Sequence, residues 1–326
     1  MTSADHRNEE RLPGRPKIIF MGTPDFAVPC LRSLMEYGHE VVAVVTQPDR
    51  PKGRGRKVAA SPVKRVATDY RLEVLQPERS WDPQFCEKVG RKGPDILIVV
   101  AFGQILRKEL LDIPRWGAIN IHASLLPKYR GAAPIHWAIL NNEAKTGLTV
   151  MRMNQGLDTG PILLQEEVAI GQDETAGQLH ERLAGHSGDF LLRTLKGLEA
   201  GRLKEKPQDH SGATYAPKID RQMSLIAWDQ TAHKVSAVIR ALDPWPGALT
   251  TLEGREIKLF SPRVLEEERL DTSPGKVARR VESALEVETG RGVLEIREFQ
   301  IPGKKRLGAD DFLRGFPVEE GMVFGR

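Results

Sequence analysis

Cysteines and long apolar runs are both scarce in this chain, and each shortage excludes a class of protein. The two cysteines among 326 residues, Cys30 and Cys86, cannot form a disulfide framework and do not have the spacing of metal ligands. No segment approaches the roughly 18 uninterrupted apolar residues that cross a bilayer. Residues 1–15 lack the apolar centre of a secretory signal and predict a disordered extension. We therefore expect a cytoplasmic protein with no membrane partner.

Both common nucleotide-binding loops are also missing. The turn that follows the first apolar run, Gly22 to Asp25, is not a G-x-G-x-x-G fingerprint, and no G-x-x-x-x-G-K-[ST] phosphate loop occurs in the chain. A nicotinamide enzyme or an NTPase is therefore disfavoured. The formal charge of +4 is compatible with an anionic partner but does not by itself indicate one.

The first half of the chain alternates between apolar runs and amphipathic stretches. Residues 16–22, 23–37 and 40–46 read as strand, helix and strand. Further strands are predicted at 72–75, 95–101 and 117–122. This alternation predicts an α/β fold with a doubly wound, mainly parallel sheet.

The second half has a different pattern. Helical spacing from Asp173 to Leu203 gives way to a polar segment with proline and glycine, residues 204–218, which we predict to be a linker. A helix is predicted next at 232–242. Several short, turn-spaced strands then predict a small β-barrel, at 248–252, 256–260, 275–281, 284–288 and 292–299.

The strand predicted at 117–122 carries two polar residues that suit chemistry at a carbonyl group. Alternation along a strand puts Asn120 and His122 on one face, roughly 6.6 Å apart at about 3.3 Å per residue. An amide donates hydrogen bonds, and an imidazole exchanges protons near neutral pH. Both residues lie at the carboxyl end of a strand, where open α/β sheets bind ligands.

A second polar segment, residues 153–163, supplies the carboxylate of Asp158 between two glycines. The polar residues of this segment and of the strand at 117–122 also have ordinary structural interpretations. A histidine at a strand end is often a hydrogen-bonded structural residue, and an aspartate before Thr-Gly is often a turn or a helix cap.

Longer motifs connect the strand at 117–122 and the segment at 153–163 to a known family. Residues 120–135 (NIHASLLPKYRGAAPI) and 157–160 (LDTG) resemble the signature of the folate-dependent formyltransferases. Three further stretches resemble the members that act on the initiator methionyl-tRNA. They are residues 18–27 (IIFMGTPDFA), 46–57 (TQPDRPKGRGRK) and 241–247 (ALDPWPG).

The resemblance implies transfer of a formyl group from 10-formyltetrahydrofolate to the amino group of methionyl initiator tRNA. It implies that Asn120, His122 and Asp158 are catalytic. We expect that no metal is needed, and no obligate protein partner is evident. The folate cosubstrate would bind at Ser124, Leu125, Leu126 and Pro127. The implied domains are a catalytic domain at 16–203, the linker at 204–218, and an OB-like tRNA-binding barrel at 219–326.

A basic segment follows the second predicted strand. Residues 46–64 contain six basic residues, one acid, three prolines and two glycines, which predicts a mobile loop. The resemblance implies that Arg54 and Lys57 contact the tRNA here. A second basic cluster, Lys304 to Arg306, fits either the RNA backbone or an ordinary solvated surface.

Three other functions stay open on the sequence. A formyltransferase acting on an amino sugar or another small amine would use the same three residues, but would give the basic loop no evident purpose. A hydrolase would direct water at the same carbonyl group and release formate. A non-catalytic RNA-binding module would not need Asn120, His122 and Asp158 together.

Overall fold

A computed structural model of the protein describes residues 12–52 and 57–325. These residues form two units, and the chain passes between them several times. The first unit contains the chain up to Gly131, residues 147–168 and residues 180–215, and the second contains residues 132–146, residues 169–179 and the chain from Ala216 onward. The domain boundaries expected from the sequence, 16–203, 204–218 and 219–326, stay a prediction.

The helices and strands follow one another in an alternating order in the first part of the chain. They are β1 (Lys17–Gly22), a 3₁₀ turn (Asp25–Ala27), α1 (Val28–Glu36), β2 (Glu40–Val45), β3 (Arg50–Lys52), β4 (Lys57–Ala59), α2 (Pro62–Asp69), β5 (Val74–Leu75), α3 (Pro83–Arg91), β6 (Ile96–Val100), α4 (Lys108–Leu111), β7 (Ala118–His122), β8 (Arg130–Gly131), α5 (Pro134–Leu140), β9 (Lys145–Arg152), β10 (Ile162–Ala169) and α6 (Ala176–Glu199).

Strands dominate the remainder. Its elements are two 3₁₀ turns (His210–Gly212 and Gln222–Ser224), β11 (Tyr215–Ala216), α7 (Ala232–Ala241), β12 (Ala248–Leu252), β13 (Arg255–Glu266), β14 (Val277–Val281), β15 (Ala284–Glu288), β16 (Val293–Gln300), β17 (Leu307–Gly308) and α8 (Ala309–Gly315). None of the helices within the described ranges is both long enough and apolar enough to span a bilayer.

Seven strands form one sheet in the order β10-β9-β7-β6-β1-β2-β5. Strand β1 runs parallel to β2 and β6, and β7 runs parallel to β6. The run from Ile96 to Val100 is buried at every position, as expected for a parallel strand that is covered on both faces. The predicted α/β fold with a mainly parallel sheet is therefore confirmed.

Two strands of this sheet were not predicted. Strand β9 pairs with β7 in the antiparallel direction, and β10 is next to β9 at the sheet edge. The residues between the two strands include Asn154, Gly156 and Gly160, and their composition predicted a turn rather than flanking strands. Buried positions run almost continuously along β9, however, because the strand has a neighbour on each side, β7 and β10.

The mobile loop predicted for residues 46–64 needs a correction in its described part. Strands β3 and β4 form an antiparallel pair in which Arg50 lies opposite Ala59. Helix α2 then begins at Pro62, where Ser61 Oγ accepts a hydrogen bond of 3.1 Å from Lys64 N. Cross-strand pairing and a capped helix, rather than irregular chain, order these residues.

Two residues near the start of the described chain, Leu12 and Cys30, bear on the sequence predictions. Most of the extension predicted as disordered, residues 1–15, lies outside the described residues. At Leu12 the side chain is buried, and its backbone N–H donates to Leu198 O at 3.3 Å. Cys30 packs as the expected buried thiol and donates to Ser187 Oγ at 3.1 Å. Burial raises the pKa of the Cys30 thiol to about 12, which leaves it unreactive near neutral pH.

The second unit has its own antiparallel sheet, in the order β12-β13-β16-β15-β14, with β17 paired to β16. Its core includes stacked rings of Phe299, Phe312 and Phe316, with centroids 4.9 and 5.1 Å apart. Helix α7 buries Val235 and Ile239 in the same core. Closure of this sheet into an OB-like barrel stays a prediction.

A partly buried ion-pair cluster ties two loop residues of the second unit, Asp243 and Arg306, to strands β13 and β16. Arg306 donates to Asp243 Oδ1 at 2.8 Å and to Glu298 Oε2 at 2.5 Å, and its guanidinium lies 4.1 Å from the centroid of the Phe260 ring. Ser261 Oγ also donates to Glu298. Burial acts to raise the pKa of Glu298, but the hydrogen bonds from Ser261 and Arg306 outweigh it and lower that pKa.

This cluster predicts acid-sensitive stability. A carboxylate with a lowered pKa stabilises the fold above its unfolded-state pKa, and the contribution is lost as pH falls through the folded-state value. Because the Glu298 side chain is 36% exposed, solvent screens the pair, and Glu298→Gln should lower the free energy of unfolding by only about 0.5–1 kcal/mol at neutral pH. Urea denaturation should show this difference shrinking between about pH 6 and about pH 3.

Glu286→Gln, on the neighbouring strand β15, serves as the matched control because Glu286 lies outside the cluster. Its effect should be small and should not depend on pH in the same way. A Glu298→Gln difference that stays constant down to about pH 3 would contradict the assignment.

Candidate active site

Strand β7 places Asn120 and His122 at the carboxyl edge of the parallel part of the sheet. Asn120 pairs with Val99 of β6 and with Met151 of β9. His122 pairs with Thr149 of β9. Only 9% of Asn120 and 6% of His122 is exposed. Strands on both sides fix the register of β7, so the two residues share one face of the sheet, as the sequence predicts.

The His122 ring is oriented by a backbone carbonyl. Nε2 lies 2.8 Å from Tyr129 O, and because a carbonyl can only accept, Nε2 carries the hydrogen and donates. Nδ1 is therefore the nitrogen left for chemistry. It faces Asp158, with 3.7 Å between Nδ1 and Oδ2. That separation exceeds a direct hydrogen bond and suits an ion pair or a proton passed through an intervening group.

Asp158 occupies a tight turn that the sequence predicts from its flanking glycines. Its backbone is left-handed, with φ of 52°. The carboxylate Oδ2 accepts a hydrogen bond of 2.8 Å from Gly131 N. At Gly160 a Cβ would come within 1.7 Å of Arg152 O, so only glycine fits there. Backbone contacts on both sides therefore fix the direction of the carboxylate.

The side-chain amide of Asn120 makes no hydrogen bond to any other residue in the described part of the chain. A buried amide normally has partners. Its N–H groups are therefore available to a ligand that reaches this face of β7. Of the three residues predicted to be catalytic, the structure places His122 and Asp158 in contact range and puts Asn120 on the same strand face as His122.

Sequence reasoning missed a polar network behind the Asp158 turn. Gln208 Nε2 donates to Asp158 O at 2.8 Å and to Gly160 O at 2.7 Å. Gln208 Oε1 accepts from Arg130 Nη2 at 2.6 Å. Arg130 lies inside the quoted motif 120–135, so its position next to the predicted site was the signal available. Gln208 falls in the predicted linker, where composition gave no sign of burial.

The residues predicted to bind folate form a loop that hydrogen bonds hold in place. Ser124 Oγ donates to Lys128 O at 2.7 Å within the loop, and Ser124 O accepts from Thr149 Oγ1 of β9 at 2.6 Å. Leu126 is buried, whereas Leu125 and Pro127 are half-buried. These bonds fix the shape of the loop, and Leu125 and Pro127 keep accessible apolar surface. Binding of a folate by Ser124, Leu125, Leu126 and Pro127 stays a prediction.

The predicted tRNA contacts can be placed only in part. Arg54 lies outside the described residues, and Lys57 begins strand β4. In the second basic cluster, Arg306 is engaged in the ion pairs with Asp243 and Glu298, so its charge is already balanced within the unit. Lys304 and Lys305 are exposed.

A compact network anchors the base of the β3–β4 pair. Lys64 Nζ donates to Asp49 Oδ2 at 2.5 Å and to Gln76 Oε1 at 2.7 Å. Gln76 Nε2 donates to Asp49 Oδ1 at 2.8 Å and to Gln47 O at 2.9 Å. Hydrogen bonds from Lys64 and Gln76 hold the pKa of Asp49 below its ordinary value. The basic segment is thus tied to the ends of β2 and β5.

Within residues 12–52 and 57–325, no three His, Cys, Asp or Glu side chains form a group suited to a metal ion. The expectation that the reaction needs no metal stays a prediction.

Two family models match this chain, one after the other. A family model described as formyl transferase matches residues 16–195, and one described as formyl transferase, C-terminal domain, matches residues 218–317. A protein from Pelotomaculum thermopropionicum named methionyl-tRNA formyltransferase is 47% identical over 309 residues, which cover 95% of this chain and 98% of the relative.

Solved structures share the fold at much lower identity. The crystal structure of HypX from Aquifex aeolicus in complex with tetrahydrofolic acid is 20% identical with a TM-score of 0.63; the match covers 94% of this chain but 49% of HypX. The structure of WlaRD, a sugar 3N-formyl transferase in the presence of dTDP and 5-N-formyl-THF, is 21% identical with a TM-score of 0.66. That match covers 89% of this chain and 99% of WlaRD.

Proposed function

The chain belongs to the formyl transferase family, and we propose that it transfers the formyl group of 10-formyltetrahydrofolate to the α-amino group of methionyl initiator tRNA. The relative named for methionyl-tRNA is far more similar in sequence than the solved sugar formyl transferase. The product, formylmethionyl-tRNA, serves translation initiation. An amino sugar or another small amine as acceptor is therefore not favoured.

One observation carries the chemical part of this proposal. His122 Nδ1 and Asp158 Oδ2 lie 3.7 Å apart at the end of β7, and the other ring nitrogen is already bonded to Tyr129 O. An imidazole held in this way exchanges protons at a single nitrogen. A carboxylate beside it balances the charge when the ring is protonated.

The reaction forms an N–C bond and breaks another. An α-amino group has an ordinary pKa of about 7.7–8.0, so an appreciable fraction is neutral and nucleophilic at physiological pH. Its nitrogen attacks the formyl carbon, and negative charge develops on the formyl oxygen. The bond from that carbon to N10 of the folate then breaks. The amine loses a proton, and N10 of the released tetrahydrofolate gains one.

The three residues divide these tasks. Asn120 Nδ2–H donates to the developing oxyanion, a contact whose loss typically costs about 10²–10³ in rate. His122 Nδ1 receives the proton of the attacking amine, or donates to the oxyanion when it is protonated. Asp158 balances the ring and takes part in proton transfer through an intervening group. General acid–base help of this kind typically supplies about 10²–10⁴ in rate.

The two substrates would bind on either side of this trio. The loop from Ser124 to Pro127 would hold the planar folate with backbone groups and with the half-buried surfaces of Leu125 and Pro127. Arg54 and Lys57 would contact the tRNA near its reactive end, because their segment follows β2 at the same sheet edge. The C-terminal domain would bind more of the tRNA body.

One assay separates this function from a hydrolase and from a non-catalytic RNA-binding module. The enzyme is given 10-formyltetrahydrofolate with charged initiator tRNA, with small amines, or with no acceptor, and both formyl transfer and formate release are followed. Transfer to the tRNA alone supports the proposal. Formate release without any acceptor indicates a hydrolase, and tRNA binding without transfer indicates the module.

The roles of the trio predict a loss of rate without loss of fold. His122→Ala and Asp158→Ala should each lower the single-turnover rate of formyl transfer by about 10²–10⁴. Circular dichroism and thermal melting should show a folded protein in both cases. His186→Ala and Asp189→Ala, which change exposed residues of α6, should keep the wild-type rate. Transfer at the wild-type rate by either site variant would refute its assignment.

The basic segment predicts a salt-dependent contribution to tRNA binding. Arg54→Ala should raise the KM for the tRNA and leave the KM for the folate unchanged. Because a phosphate contact releases counterions, the slope of log K against log salt should become shallower by about one. Arg32→Ala, on the exposed face of α1, is the matched control. An unchanged salt slope for Arg54→Ala would show that Arg54 does not contact a phosphate.

A further inference from the structure

The segment predicted as a linker buries a glutamine behind the Asp158 turn. Only 6% of Gln208 is exposed. Two residues earlier, Lys206 exchanges a pair of backbone hydrogen bonds with Ile162 of β10, each 2.8 Å long. That pairing fixes the path of the chain along the sheet edge and directs Gln208 toward the turn.

The amide of Gln208 is fully used. Its two N–H groups donate to Asp158 O and Gly160 O, at 2.8 and 2.7 Å. Its oxygen accepts from both Nη2 and Nε of Arg130, at 2.6 and 3.1 Å. Arg130 is itself buried, at 3% exposed. A buried side chain with every donor and acceptor paired holds its neighbours in one geometry.

These hydrogen bonds form a closed circuit, the Arg130–Gln208–Asp158 ring, that includes the residue with the candidate catalytic carboxylate. The Arg130 side chain bonds Gln208, Gln208 bonds the backbone of Asp158, and the Asp158 carboxylate accepts from the amide of Gly131, the residue after Arg130. Asp158 is thus held at its carbonyl by Gln208 and at its carboxylate by Gly131. Such support matters because its left-handed backbone is uncommon for a residue other than glycine.

We propose that Gln208 is a positioning residue that aims the Asp158 carboxylate at His122, acting through the Arg130–Gln208–Asp158 ring. Gln208 does not touch the reacting atoms and acts only through Asp158. The inference rests on the proposed function insofar as it assigns Asp158 a part in formyl transfer.

The test replaces the amide while keeping the volume of the side chain. Gln208→Met removes all four hydrogen bonds. Because small displacements of a positioned group slow chemistry strongly, the single-turnover rate should fall about 10–100-fold. The KM values for folate and tRNA should change less than about threefold. Gln208→Glu, which keeps the acceptor for Arg130 but loses the N–H donors when ionised, should slow transfer similarly.

A double-mutant cycle distinguishes positioning from general destabilisation. If Gln208 acts through Asp158, Gln208→Met should cause no further loss of rate in the Asp158→Asn background. An equal loss in both backgrounds would overturn the proposal, as would a wild-type rate for Gln208→Met.

The second unit offers a matched control. Asn142 Oδ1 accepts from the buried Arg240 at 2.9 Å, Asn142 Nδ2 donates to His233 O at 3.4 Å, and Asn142 also has a left-handed backbone, with φ of 51°. Asn142→Ala therefore removes the same kind of network in the unit that does not contain Asp158. It should lower the melting temperature and leave the single-turnover rate within about twofold of wild type.

A crystal structure of Gln208→Met separates failure of this inference from failure of the proposed function. The proposal expects the Asp158 carboxylate to move away from its position 3.7 Å from His122 Nδ1. An unmoved carboxylate would overturn the positioning role, whatever reaction the enzyme catalyses. A moved carboxylate in a protein whose wild type transfers no formyl group would uphold the geometry and refute the function.

Discussion

The site depends on one carboxylate held by one backbone amide. Gly131 N–H fixes Asp158 Oδ2 at 2.8 Å, and the same oxygen lies 3.7 Å from His122 Nδ1. This contact joins strand β8 to a turn 27 residues away in the chain. Without it, His122 would be a buried ring that donates to Tyr129 O and nothing more. With it, the ring has a counter-charge and a route for a proton.

The parallel sheet explains why these groups meet where ligands can reach them. Strands β1, β2, β6 and β7 run in one direction, so their carboxyl ends lie along one edge. Asn120 and His122 end β7 at that edge, and the basic segment leaves the end of β2 there. A candidate active site and a basic segment on one edge suit the proposed transfer to the end of an RNA.

Sequence patterns predicted the elements with strong periodicity and failed where distant partners decide the structure. Strands β6 and β7 were placed within a residue at each end because they are apolar runs bounded by Gly and Asp. Strand β9 was missed because the turn residues after it concealed a strand paired with β7. The burial of Gln208 was not predicted because the polar, proline-containing segment around it has the composition of a linker. Its burial depends on Arg130, 78 residues earlier.

The proposed chemistry needs Asn120, His122 and Asp158 to surround one formyl group. A crystal structure with 5-formyltetrahydrofolate, a stable isomer of the proposed cosubstrate, tests this arrangement most directly. We expect the folate against the Ser124–Pro127 loop, with its reactive end between Asn120 Nδ2 and His122 Nδ1 and an oxygen within about 3.2 Å of Asn120. A folate bound with its reactive end away from all three side chains would refute the arrangement.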